Sequence, residues 1–170
     1  MRKSLSSTSA AACASALIAA LAVAGCGSSA PTKSQYIAKA DTICTTASAQ
    51  TAPLIHQVTE AAVALGTGKA SSVPQLASAI TRLHEVAKTY LTQLEKLEQP
   101  SGEHAQIERF LTPFASVVSA IGQAASALQK GQAQQALGIL EQVRPASQQA
   151  TAGAQAYGAT SCETVLAALG

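Results

Sequence analysis

Tryptophan is absent from this 170-residue chain, and its aromatic residues are three Tyr and two Phe. So few rings exclude a platform on which bases or sugars stack. Charge is scarce as well, at 12% of residues, and Asp41 is the sole aspartate. With Arg2 and Lys3 set aside, nine basic residues stand against nine acidic ones. A chain in that balance has no basic face to steer onto nucleic acid. It also lacks a Gly-x-Ser-x-Gly elbow and a glycine-rich phosphate loop. His56, His84 and His104 are scattered without a triad order. His56 with Glu60 and His104 with Glu108 are each four apart, a spacing that places two side chains on one helix face. On the helical register given below, His56 and Glu60 fall away from the seam and His104 alone points toward the core. These residues, and the His84-Glu85-Lys88 group, read as solvated surface. One methionine offers no copper-binding run or haem ligand set. No catalytic residue, metal site or cofactor is expected, and an enzyme would need the histidines to converge with an acidic or nucleophilic partner.

What is present begins at the N-terminus. Met1-Arg2-Lys3 is a short positive region, and Ala10 to Ala24 is an uncharged run of small and apolar residues. This is the plan of a signal peptide over residues 1–25. The run is about 15 residues, short of the roughly 20 that a bilayer span needs, and no later segment is expected to span. It ends in Val23-Ala24-Gly25-Cys26, which resembles the lipobox of bacterial lipoprotein precursors. The resemblance implies a diacylglyceryl group on the sulfur of Cys26, cleavage before it and acylation of the new amino end. Two acyl chains anchor stably where one holds marginally. The expected place is therefore the extracytoplasmic face of the cell membrane. The competing reading is ordinary secretion after cleavage at Ala-x-Ala, with Cys26 a free or bridged thiol.

Cysteine arithmetic follows from that reading. Cys13 leaves with the signal and Cys26 carries lipid, so Cys44 and Cys162 remain as a pair in an oxidising compartment. A disulfide between them is expected. Neither lies in a CxxC or CxxH pair, which disfavours a metal site built on them.

Helical periodicity fills the rest of the chain. From Ser34, Ile37, Ala40, Cys44, Ala47, Thr51, Leu54, Val58, Ala61 and Leu65 recur at 3,4 spacing, with Ser34 as N-cap. Pro53 predicts a kink or a break near residues 49–53, and Gly66-Thr67-Gly68 ends the helix. Ser72-Val73-Pro74-Gln75 has the spacing of a capping box. It opens a second seam of Leu76, Ile80, Leu83, Ala87, Tyr90, Leu94 and Leu97. Pro100-Ser101-Gly102 makes a turn. A third seam runs through Ile107, Leu111, Phe114, Val118, Ile121, Ala125 and Leu128, widened by Phe110 and Val117, with Pro113 a kink. A fourth runs from Gln132 to Tyr157 through Ala133, Leu137, Leu140, Val143, Ser147, Ala150 and Ala154, with Pro145 inside. No segment shows strand alternation.

These seams predict an all-α fold: an antiparallel up-down-up-down four-helix bundle with kinked helices and one disulfide. Residues 26–33 would hold the lipidated cysteine and a tether, 34–158 the bundle, and 159–170 a C-terminal turn carrying Cys162. From Gly27 to Lys33 the tether reaches at most roughly 25 Å, so partners should be membrane-proximal.

Tyr36-Ile37-Ala38-Lys39-Ala40-Asp41-Thr42-Ile43-Cys44 and Tyr157-Gly158-Ala159-Thr160-Ser161-Cys162 resemble two end elements of small secreted proteins and lipoproteins of high-GC Gram-positive bacteria. Those elements are Ala-Asp-x-Ile-Cys and Tyr-Gly-x-x-x-Cys. The resemblance covers about fifteen residues, implies the disulfide and a helical domain, and brings no activity with it. Asp41 is expected to cap, or to pair locally with Lys39 or the Tyr157 hydroxyl. The leading expectation is a non-catalytic, membrane-tethered module that binds an envelope partner. The alternative is a carrier of a metal or small apolar ligand in an inter-helix pocket.

Overall fold

A computed structural model describes residues 30–170; the expected signal peptide and the lipidation site at Cys26 lie outside the described residues. The described chain is helical and forms no strand. Its helices are α1 (Lys33–Gly66), α2 (Val73–Glu95), α3 (His104–Gln129), α4 (Ala133–Leu140), α5 (Val143–Tyr157) and α6 (Thr160–Ala168), with a 3-10 turn at Ala70–Ser72.

The N-cap of α1 falls two residues before the expected Ser34. Thr32 is the N-cap: its hydroxyl accepts from the Gln35 amide while the Gln35 side chain accepts from the Thr32 amide. This reciprocal box satisfies two donors that helix geometry orphans. At α2 the expected box does not form. Ser72 has helical backbone angles and its side chain makes no capping bond, because the 3-10 turn runs straight into the helix.

The prolines act according to what surrounds them. α1 continues through Pro53 and α3 through Pro113, whereas the expected fourth helix is two. It stops at Leu140 and restarts at Val143. Pro145 has no amide hydrogen for the Glu141 carbonyl, and its ring collides with that carbonyl in a continuous helix. Breaking at 141–142 places Pro145 in the first turn of α5, where a missing donor costs little. Pro113 likewise leaves the Arg109 carbonyl without its helical donor. Gly153 of α5 packs against that place: a Cβ on Gly153 would lie 2.6 Å from the Arg109 carbonyl oxygen. A close backbone approach between α3 and α5 thus falls where the helix ladder is open, and it suits a weak Cα–H to carbonyl contact.

The seams of α2 and α3 are buried as expected, with Leu97 partly so. On α1 the buried set is Tyr36, Ala40, Cys44, Ala47, Thr51 and Ala61. In the first turn Tyr36 is buried while Ile37, expected on the seam, is only partly so. α3 packs against α2, α4 and α5, and α1 against α2 and α6. α3 is long and apolar enough to cross a membrane, contrary to the expectation that no later segment would compete. Its apolar length is instead spent on three neighbours, and half of its most apolar stretch is buried.

The C-terminal turn is a nine-residue helix, α6, which lies between α1 and α5. Gly158 makes the reversal at φ 94°, a left-handed conformation that L side chains rarely adopt. A helix this short is marginal alone, and α6 has no cap of its own. Its neighbours supply the caps. Asp41 Oδ1 on α1 accepts from the Ser161 amide at 2.9 Å, and the Ser147 hydroxyl on α5 donates to the Leu166 carbonyl. Between these lies the Cys44–Cys162 disulfide, with Cα atoms 4.9 Å apart.

Two glycines separate packing from propensity. Gly153→Ala is expected to lower unfolding free energy by about 1 to 3 kcal/mol through overpacking. Gly138→Ala in α4, where a Cβ meets nothing within 4 Å, is expected to raise it by about 0.5 to 1 kcal/mol. Denaturant unfolding of both variants reads the opposite signs.

Candidate functional site

The start of α1, the turn before α3 and the end of α5 meet at one pole. Lys33 Nζ lies 3.6 Å from Glu103 Oε2 and 4.3 Å above the centre of the Tyr157 ring. The first distance is an ion pair without a hydrogen bond. The second is within cation–π range, worth about 0.5 to 1 kcal/mol where solvent reaches it. Tyr157 meets Tyr36 edge-on, with centroids 5.9 Å apart, and tilts against Phe110 at 6.1 Å. Three of the five aromatic residues of the chain are therefore in one cluster.

Burial is nearly complete there: Tyr36 is 0% exposed and Tyr157 2%. The hydroxyls of both, with Glu103 Oε2, are buried atoms that make no hydrogen bond. Loss of hydration pushes the Tyr36 hydroxyl up to about 12, reinforced by Tyr157 and by the Glu108 carboxylate. Burial raises Tyr157 too, with Glu103 adding to it. Both rings stay neutral phenols through physiological pH, and their polar tips are retained against a desolvation cost of about 1 to 3 kcal/mol each.

The same helices hold the clasp already described. Tyr36, Asp41 and Cys44 lie along α1, facing Tyr157, Ser161 and Cys162 across the α5–α6 reversal. Asp41 caps, as expected, but through the distant Ser161 rather than Lys39 or the Tyr157 hydroxyl. Cys44 and Cys162 form the expected bridge.

The histidines do not converge. His56 and Glu60 make an exposed pair at 3.4 Å. His104 is exposed rather than core-facing; its Nδ1 lies 2.7 Å from Gln99 Oε1, while Glu108 accepts from the Thr112 hydroxyl. His84 corrects the exposed-patch expectation. Its ring is half-buried against α3, with Nδ1 3.0 Å from the Val118 carbonyl. A carbonyl only accepts, so Nδ1 carries the proton in this contact. Gly122 makes the room, since a Cβ there would lie 2.6 Å from the ring. Among the described residues no group of three or more His, Cys, Asp or Glu gathers as a metal site.

An enclosed apolar void beside Cys44, Thr51, Tyr90 and Phe114 measures about 10 Å³, at the lower limit for a single water. A larger hollow of about 610 Å³ lies open between α1 and α2, along Glu60, Ala61, Ala64, Pro74 and Ala79. No protein-family model, curated protein or solved structure matches the chain, and the reading of the pole rests on its geometry alone.

The Tyr36 shift has a pH consequence. Its folded value lies above the ordinary 10.0, so the folded chain keeps this proton after the unfolded chain has lost it. The stability this contributes is complete below pH 10 and is lost as pH rises toward 12, on the order of 2 to 3 kcal/mol. Tyr36→Phe is expected to flatten that decline in urea unfolding between pH 9 and 12.

Proposed function

We propose that this chain is a membrane-anchored, non-catalytic lipoprotein: a helical interaction module held at the extracytoplasmic face through lipid on Cys26. The observation that carries the reading is Val23-Ala24-Gly25-Cys26 at the end of an uncharged, signal-like run. The start of α1 supports it. A helix capped at Thr32, six residues after Cys26, leaves room for a spacer and little else.

In this reading the long helices run up-down-up-down, with α4 and α5 together as the fourth. The short connections and the neighbour order α1, α2, α3, α5 favour it. α6 then inserts between α5 and α1 as an additional wall. The module presents an evenly charged, Ala-, Gln-, Ser- and Thr-rich surface, so it engages a membrane-proximal partner through shape and neutral hydrogen bonds rather than electrostatic steering. The carrier alternative finds less support: the enclosed void is about 10 Å³, and the hollow of about 610 Å³ is open to solvent.

Expressed as the full chain in a bacterium that matures lipoproteins, the protein is expected to sediment with membranes and to incorporate labelled palmitate. Cys26→Ser should do neither. A labelled Cys26→Ser protein, or an unlabelled wild-type protein in the medium, would overturn the anchor. Cross-linking of the anchored chain in intact cells is expected to yield a saturable adduct with a neighbouring envelope protein; adducts that scale with abundance alone count against an interaction module.

A further inference from the structure

The tether and the pole together define an orientation. From Cys26 to Thr32 the backbone spans at most about 22 Å even when fully extended. Unwinding α1 to lengthen it is opposed at every early turn. The Thr32–Gln35 box holds the first turn, Lys33 is engaged with Glu103 and Tyr157, and Tyr36 and Ala40 are 0% exposed. Freeing Tyr36 exposes a full aromatic side chain, which outweighs the small gain in reach. The start of α1 is therefore a fixed point close to the lipid.

What is attached to that point follows by contact. Lys33 touches Glu103 before α3 and Tyr157 at the end of α5, so the turn between α2 and α3 and the α5–α6 reversal share its pole. The other end of α1 is far away: its 34 residues extend about 51 Å at 1.5 Å per residue. The nine basic and nine acidic residues past Lys3 give the flanks no surplus charge to draw them down onto anionic lipid.

We infer that the pole formed by Lys33, the 96–103 turn and Gly158 is the bilayer-facing surface of the domain, and that α1 carries its C-terminal end away from the membrane. The partner of this pole is the lipid headgroup layer in which the chain's own anchor sits. The open hollow between Glu60, Ala61, Pro74 and Ala79 then lies on the outward half, about 40 Å along α1 from Lys33. This inference rests on the lipid-anchor reading.

Depth measurement tests it on the full, lipid-modified chain in vesicles of phosphatidylglycerol and phosphatidylethanolamine. Glu98→Cys and Lys69→Cys place single fluorophores on exposed turns at the two poles, since Cys26 is blocked by lipid and Cys44 and Cys162 by their bridge. Quencher-bearing headgroups are expected to reduce emission at position 98 several-fold and to leave position 69 unchanged. Equal quenching at both, or quenching at 69 alone, overturns the orientation. Intact mass of the vesicle-bound protein reads the lipid separately. A lipid-bearing chain quenched equally removes the orientation while keeping the anchor; a chain without lipid removes both.

Discussion

The Cys44–Cys162 bridge is the constraint on which the remaining architecture depends, because it fixes a helix that could not fix itself. α6 is nine residues long, has no cap of its own, and enters through a left-handed glycine. Its position comes from α1 and α5: the disulfide, Asp41 at its first turn and Ser147 at its last. The bridge closes a separation of 118 residues, and in the chain-entropy account a loop of that size is worth about 4 to 5 kcal/mol. That is a large share of the stability of a small domain. With α6 in place, the start of α1 and the end of α5 are brought together, and Tyr36 meets Tyr157. The polar pole is thus a consequence of a covalent bond about two turns away along α1.

Proline placement shows how one residue type yields different outcomes. At Pro145 the helix gives way, and the break lets the last long helix re-aim after α4. At Pro113 the helix persists, and the carbonyl it leaves open faces the one glycine of α5 that lets another backbone approach. At Pro53 the freed carbonyl belongs to Ala49, an exposed residue.

Much of this was legible in the sequence, and the exceptions share a cause. Periodicity located the helical segments, though not the break at 141–142, and the full seams of α2 and α3, because those depend on which residues recur within one helix. Cysteine counting paired Cys44 with Cys162, since two others were assigned elsewhere. Periodicity carries no information about what faces a residue across the core. His84 reads as surface until Gly122 on the next helix is known to leave space for its ring. Lys33, Tyr36, Glu103 and Tyr157 come from three separated segments, so no local pattern joins them. One signal was available: Tyr36 and Tyr157 each open one of the two end elements, eight residues before Cys44 and five before Cys162. A bridge between the cysteines pulls both tyrosines to the same end.

The pole also shows where stability has been given up. Two phenol hydroxyls and a carboxylate oxygen are buried without hydrogen bonds, in a domain whose other interior surfaces are mainly Ala, Leu, Val and Ile. Phenylalanine at positions 36 and 157 would keep the edge-to-face packing and remove the unpaired hydroxyls. The two rings pack their apolar bodies against each other, and Tyr157 against Phe110 as well, which offsets part of the desolvation of their polar tips. The disulfide and the reversal at Gly158 bring both rings to one end of the molecule, beside the Lys33–Glu103 pair.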